Sequence, residues 1–386
     1  MTNTAASTHA RATASAISHA ARVLDSIRPG LHADTALRQY FAYWHRLGPR
    51  EKRDISHATF AYFRWLGWLD RKTSPQKQIA AALELQTRFD NNPASIKTEA
   101  LAALAVPEWT RDELDYPAET LRLIQCAPVL WLRAQTAAAA TLPSLLGDCQ
   151  PAANTPVPAP AAFRYTGKQD LFRTPQFHNG LFEIQDLASQ LVGHACAPLP
   201  GQTWWDACAG EGGKTLHLAD LMKNKGMLWA SDRSFRRIQA LKRRAARAKV
   251  FNYRAAAWDG SAKLPTKTKF DGILIDAPCS GLGTWQRNPQ ARWTTTPDDV
   301  RELAAVQQQL LAHAIPSLKP GGRLIYAVCT LTRSETTAIA DAITAAHPGL
   351  EPAPVFAASA NTAPQITLWP HESGTNGMFI AAWRKK

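Results

Sequence analysis

From Gly201 onward, short apolar stretches alternate with segments of helical periodicity. Thr203–Ala207 precedes Lys214–Met222, and Met227–Ser231 precedes Phe235–Ala248; Tyr253–Ala257, Gly272–Asp276, a long helix after Pro297, and Arg323–Val328 follow. This alternation predicts an open α/β sheet, mostly parallel, with helices on both faces. In such a sheet ligands bind beyond the carboxyl ends of the strands. The chain places its reactive residues at those ends. Cys279 and Cys329 close the strongly apolar patterns Phe270–Cys279 (FDGILIDAPC) and Gly321–Cys329 (GGRLIYAVC), and a Gly-rich strand-to-helix turn spans Asp206–Thr215 (DACAGEGGKT).

In that turn Asp206, Gly210, Gly212 and Gly213 surround the end of the first strand. Glycine lets the backbone approach a ligand, and the helix N-terminus offers free N–H groups to an anion. The Gly-Lys-Thr ending does not make a P-loop, because Cys208 stands where the first glycine is required. A dinucleotide fingerprint also fits poorly, the order being Gly-Glu-Gly-Gly. Asp232, ending the second strand, suits the two hydroxyls of an adenosine ribose, and Asp259, ending the third, suits the adenine amino group. Taken singly, each acid is an ordinary cap or turn residue. Their recurrence at successive strand ends favours a site. A single strand-end cysteine is usually a small buried hydrophobe. Here one lies in Asp276-Ala277-Pro278-Cys279-Ser280-Gly281 and the other precedes Thr330.

The 386 residues exceed one ordinary core, so two or three domains are expected. A 45% hydrophobic and 19% charged composition is globular, and a net charge of +13 favours a polyanionic partner, nucleic acid ahead of others. Six cysteines without a Cys-x-x-Cys or a Cys/His quartet at zinc spacing predict no metal and reduced thiols, hence a cytoplasmic protein. No apolar run reaches the roughly 20 residues of a membrane span. The Ala/Ser/Thr-rich start superficially resembles a transit peptide, but Ile17, Ala21, Val23, Leu24 and Ile27 form one apolar helical face. Residues 11–82 read as helical. Phe60, Tyr62, Phe63, Trp65, Leu66, Trp68 and Leu69 are expected to pack between helices, an aromatic surface for single-stranded RNA being the alternative. Pro93, Pro107 and Pro117 break the next segment, and Pro151–Pro160 reads as a linker or loop at a boundary. The expected division is a helical domain over 1–95, a connecting region over 96–160 and an α/β domain over 161–386, in a monomer.

Gly180–Leu191 (GLFEIQDLASQL), DACAGEGGKT, Asp276–Pro289 (DAPCSGLGTWQRNP), Lys319–Thr330 (KPGGRLIYAVCT) and Pro370–Phe379 (PHESGTNGMF) together resemble the RNA cytosine-5 methyltransferases of the Nol1/Nop2/Sun family. The bacterial ribosomal RNA branch is the most similar, and the helical N-terminal segment is similar to the NusB-like domain found in it. The resemblance implies a class I methyltransferase Rossmann-like sheet with a helical NusB-like N-terminal domain. It implies S-adenosyl-L-methionine held by Cys208, Ala209, Gly210, Glu211, Gly212, Gly213, Lys214, Asp232, Asp259 and Asp276. The partner it implies is RNA, with an unpaired cytosine, ribosomal RNA first. Cys329 would add to cytosine C6, and Cys279 would promote loss of the C5 proton and release. Asp276 would hold the Watson–Crick edge, while Lys214 would orient the base and favour thiolate.

The chain departs from the family pattern at four places: Glu211 for Pro, Val328 for Thr, Thr336 for Asn and Asn376 for Asp. A non-catalytic RNA-binding or ribosome-assembly protein on the same scaffold is the alternative. DNA cytosine methylation is disfavoured by the second thiol after Tyr326-Ala327-Val328. The basic run with Arg236, Arg237, Lys242, Arg243, Arg244 and Arg247 fits a solvated helix and an RNA surface equally well. Arg287 and Arg292, beside Trp285 and Trp293, are expected to contact RNA near the thiols.

Overall fold

The computed structural model describes residues 2–357 and 362–386, with the backbone alone over 2–12. The chain divides into a helical unit, residues 1–128 with Trp285–Thr295, and a sheet unit, Val129–Thr284 with Thr296–Lys386.

The helical unit contains α1 (Thr2–Ser26), α2 (Ala33–Tyr43), α3 (Pro49–Arg64), α4 (Pro75–Asn91), α5 (Thr98–Leu104) and α6 (Ala118–Leu123). Gly48-Pro49 starts α3 as expected: proline has no N–H to leave unpaired at the first position, and Glu51 accepts the Gly48 N–H at 2.7 Å. In the aromatic run Phe63, Trp65, Leu66 and Leu69 are buried, while Phe60, Tyr62 and Trp68 are half-buried. Trp65 is fully buried, edge-on to Trp68 and Phe89, and its indole N–H donates to Gln86. Helical structure continues well past residue 95. Pro93 opens a short 3-10 turn, while Pro107 and Pro117 stand at the caps of Glu108–Asp112 and α6, so each proline starts an element.

The sheet unit opens with a small antiparallel sheet of β1 (Leu130–Ala134), β2 (Cys149–Pro151), β3 (Ala162–Tyr165) and β4 (Phe182–Ile184), in the order β2-β3-β1-β4. The Pro151–Pro160 stretch is the loop joining β2 to β3. It lies inside the unit, because Cys149–Pro151 pairs back onto Phe163–Tyr165.

The large sheet comprises β5 (Thr203–Asp206), β6 (Met227–Asp232), β7 (Tyr253–Ala257), β8 (Phe270–Asp276), β9 (Leu318–Val328), β10 (Leu350–Pro352), β11 (Gln365–Leu368) and β12 (Met378–Lys385). Its order is β10-β12-β9-β8-β5-β6-β7, with β11 on β12. The five strands from β9 to β7 are parallel, and β12 closes antiparallel on β9. This is the Rossmann-like α/β fold of class I methyltransferases, and the N-terminal unit is helical. Trp205, fully buried, stacks on Phe270 and meets Trp258, with ring centroids 5.4 and 4.9 Å away. Gly272 makes room for Trp204 on the neighbouring strand; a Cβ there would lie 2.2 Å from the indole. From β5 the chain steps outward to β6 and β7, then returns to β8 and β9 on the other side. The reversal opens a crevice at the carboxyl ends of β5 and β8, where α/β sheets take their ligands. Among the described residues no helix is long and apolar enough to cross a membrane.

Candidate active site

The turn after β5 leads into the helix Gly213–Leu221. Gly212 has φ +88°, and a Cβ on it would stand 2.7 Å from Leu241 Cγ, so both conformation and space demand glycine. Gly210 has φ +55°, and a Cβ there would meet nothing within 4 Å. Its N–H donates to Asp232 Oδ2 at 3.0 Å, and the Ser234 N–H donates to Oδ1 at 2.7 Å. The Asp232 carboxylate is thereby fixed beside the turn, at the end of β6. Ala209 is anchored to the same strand through Ser231 O at 2.8 Å. Glu211 points its side chain into solvent.

Asp206, fully buried, accepts the Thr215 hydroxyl at 2.6 Å on Oδ2, while Oδ1 has no partner. Burial pushes its carboxyl up to about 7 against the pull of the Thr215 bond, with Asp276 adding to the rise. Burial, with Asp206, Asp276 and Asp232 around it, also holds the Cys208 thiol well above its ordinary value. Asp259 lies in the exposed loop after β7, where its carboxylate accepts the Ser261 N–H at 3.0 Å, and that turn holds it below the usual range. Open space at Gly210, a fixed carboxylate at Asp232 and a helix N-terminus at Gly213 fit the donor set that S-adenosylmethionine requires. Among the described residues no group of three or more His, Cys, Asp or Glu is placed to hold a metal ion.

The two thiols meet. Cys279 Sγ lies 3.5 Å from Cys329 Sγ. The cause is strand register: β8 and β9 are parallel neighbours with Asp276 opposite Ala327, so both chains leave the same edge of the sheet. Gly283 then donates its N–H to Cys329 O at 3.1 Å, folding the Cys279 loop back over the end of β9. The bond to Cys329, burial and the nearby Glu335 push the Cys279 thiol well up. Lys214 Nζ donates to Asp276 Oδ2 at 2.7 Å. Burial opposes its charge, but Asp276, Cys329 and Asp206 outweigh that, so its pKa is raised and it stays an ammonium. Cys279, Cys329, Asp276 and Lys214 therefore converge, with the turn of Cys208–Gly213 and Asp232 along the same edge.

Sequence reasoning missed the group that shapes the Cys279 loop. Glu335, fully buried, accepts the Ser280 N–H at 2.9 Å, the Gln307 amide at 3.0 Å and the Thr332 hydroxyl at 2.8 Å, and also the Ser280 hydroxyl. Gln307 in turn donates to Pro278 O at 2.9 Å and accepts from the Tyr326 hydroxyl at 2.9 Å. The only sequence trace is Thr332 three residues before Glu335. Of the departures, Val328 is fully buried, Thr336 bonds back to Thr332 O, and the Asn376 N–H donates to Asp186.

The expected role of Arg292 is corrected. It belongs to the core of the helical unit and is fully buried, donating to Ala105 O at 3.0 Å, Ile124 O at 2.8 Å and Trp285 O at 3.3 Å. Burial, reinforced by Arg64, lowers its pKa to about 9. Trp285 is buried too, and Trp293 donates to Phe63 O, while Arg287 is exposed. In the basic run, Arg244 and Arg247 pair with Glu183, so neither is a free cation.

Residues 194–384 match the family described as 16S rRNA methyltransferase RsmB/F. Through this segment, just under half of its length, the chain is similar to that family, of the Nol1/Nop2/Sun type. A probable ribosomal RNA small subunit methyltransferase B of Bacillus subtilis is 37% identical over 219 residues, covering 54% of this chain and 49% of that protein. A mouse tRNA (cytosine(72)-C(5))-methyltransferase is 35% identical over 183 residues, 43% of this chain and 38% of its own. The chain thus spans about half the length of the first curated relatives it matches. A methyltransferase homologue from Pyrococcus horikoshii superposes with TM-score 0.60 at 27% identity, covering 70% of this chain and 90% of its own. The crystal structure of PH0851 gives TM-score 0.77 over 97% of this chain and 98% of its own; at 22% identity it speaks for the fold alone.

Proposed function

We propose that this protein methylates cytosine C5 in RNA, ribosomal RNA first, through a covalent adduct on Cys329. The approach of the two sulfurs to 3.5 Å beside the Lys214–Asp276 pair carries the reading. Cytosine C5 is a poor nucleophile. Addition of the Cys329 thiolate to C6 forms an S–C6 bond and moves the C5–C6 double-bond pair onto the ring, so that C5 becomes nucleophilic. The Lys214 ammonium stabilises that thiolate, and Asp276 is at hand to hydrogen-bond the Watson–Crick edge as the ring takes up charge. Bound at the Gly210–Gly213 turn, with Asp232 on its ribose and Asp259 toward its adenine, S-adenosylmethionine supplies an electrophilic methyl group.

Cys279 acts second. Before Cys329 bonds to the base, its hydrogen bond, burial and its charge keep Cys279 protonated. Once Cys329 Sγ is bonded to carbon, that charge is gone, and Cys279 can lose its proton to solvent and take the one on C5. The electrons of the C5–H bond restore the double bond and expel Cys329 as thiolate. The base must leave its stack to reach the sulfurs, so unpaired cytosine is the proposed target. RNA containing 5-azacytidine tests this: wild type is expected to form an adduct stable to denaturing electrophoresis, Cys329→Ala none. Cys279→Ala is expected to accumulate an adduct with ordinary RNA. Wild-type turnover in both variants would eliminate the mechanism, and RNA binding without any S-adenosylmethionine binding would favour a non-catalytic role.

A further inference from the structure

The charge cluster around Glu183 plays no part in the chemistry above. Glu183 sits on β4, opposite Arg133 of β1, and is only 4% exposed. Two guanidiniums from the helix Phe235–Arg247 meet it: Arg247 on Oε1, and Arg244 on Oε2 at 2.9 Å. They differ in what else they touch. Arg247 lies over the Phe177 ring, 3.8 Å from its centroid. Arg244 turns Nη1 onto the Glu211 carbonyl oxygen at 3.0 Å, inside the Gly-rich turn.

We propose that Arg244, anchored by Glu183, is a positioning residue that holds this turn in the shape that accepts the methyl donor. The inference rests on the reading that the turn binds S-adenosylmethionine. Glu211 stands between two glycines at φ +55° and +88°, a stretch of backbone with great freedom to lose. Its peptide plane is clamped at both ends. Arg244 donates to the Glu211 carbonyl, and the N–H of the same peptide, on Gly212, donates to Ala209 O at 2.8 Å. A charge-assisted bond to that carbonyl removes loop freedom before the ligand arrives, so less of the binding energy goes into ordering the loop. The anchor is firm because Glu183 is buried and doubly paired, which directs the fork of Arg244.

Arg247 is a built-in control: it shares Glu183 but does not touch the turn. Titration calorimetry of the full chain with S-adenosylmethionine is expected to show about tenfold weaker binding for Arg244→Gln and under twofold for Arg247→Gln. Both should lower the melting temperature, since each loses its ion pair with Glu183. Arg244→Lys, which keeps the charge but cannot reach both acceptors, should bind with intermediate affinity at a near wild-type melting temperature. Equal loss of affinity in the two Gln variants, or undiminished affinity in Arg244→Gln and Arg244→Lys, would overturn the inference. Absence of binding by wild type would instead remove the cofactor reading and leave the turn without its ligand.

Discussion

At Asp206 burial wins over hydrogen bonding, and the sign of the consequence can be worked out. The folded pKa is near 7 and the unfolded value near 3.8, so between these the folded state keeps a proton that the unfolded state has released. Asp206 therefore contributes stability fully below about pH 4, and that contribution is lost as pH rises through about 7. Asp206→Asn preserves an acceptor for the Thr215 hydroxyl but cannot titrate. The melting temperature of wild type minus that of Asp206→Asn is expected to fall between pH 4.5 and 7.5; a difference that stays flat would sink the assignment. Gly212 gives a second test at this scale. Gly212→Ala forces a β-carbon to φ +88° and into Leu241, so urea unfolding should show a loss of about 2 kcal/mol.

Among the elements, the loop from Pro278 to Gly283 is held in place by the groups around Glu335. Glu335→Gln presents an amide N–H₂ toward donors from Ser280 and Gln307, so one contact becomes donor against donor. Cys279 is then no longer held against Cys329. Turnover should drop about 10- to 100-fold while S-adenosylmethionine affinity stays within twofold, as separate kinetic and binding measurements would show; a matching loss of cofactor affinity would point to a general collapse. This loop also shows what could be read from the chain. Strands β5, β6 and β8 are apolar runs ending in an acid, and β9 leads straight into Cys329, so the sheet edge and its thiols were legible. The Glu335 site was not, because its donors come from Ser280, Gln307 and Thr332, joined only by the fold. The small sheet was hidden for another reason. Its strands β2 and β4 are three residues each, too short for alternation to emerge.

For the whole molecule, the instructive error concerns Trp285–Thr295. Its Arg292 was expected to contact RNA near the thiols, yet that side chain is fully buried within the helical unit. Tryptophan and arginine read alike in an RNA-stacking surface and in a core, and only burial separates the two. The Arg292 guanidinium serves the carbonyls that helix ends leave over: Ala105 caps α5, and Ile124 caps α6. Replacing it with methionine fills the space but leaves those oxygens buried without a donor. Arg292→Met is expected to cost about 3 kcal/mol, read by urea unfolding followed through the helical signal, and to reduce hydrogen-exchange protection in α5 and α6. S-adenosylmethionine affinity should remain at the wild-type level, because every residue assigned to that site lies in the sheet unit. RNA affinity measured on the folded protein should change less than twofold. An Arg292→Met protein of unchanged stability that loses RNA affinity and salt dependence would return Arg292 to the nucleic-acid surface, since a phosphate contact and a structural cap make opposite demands on those two measurements.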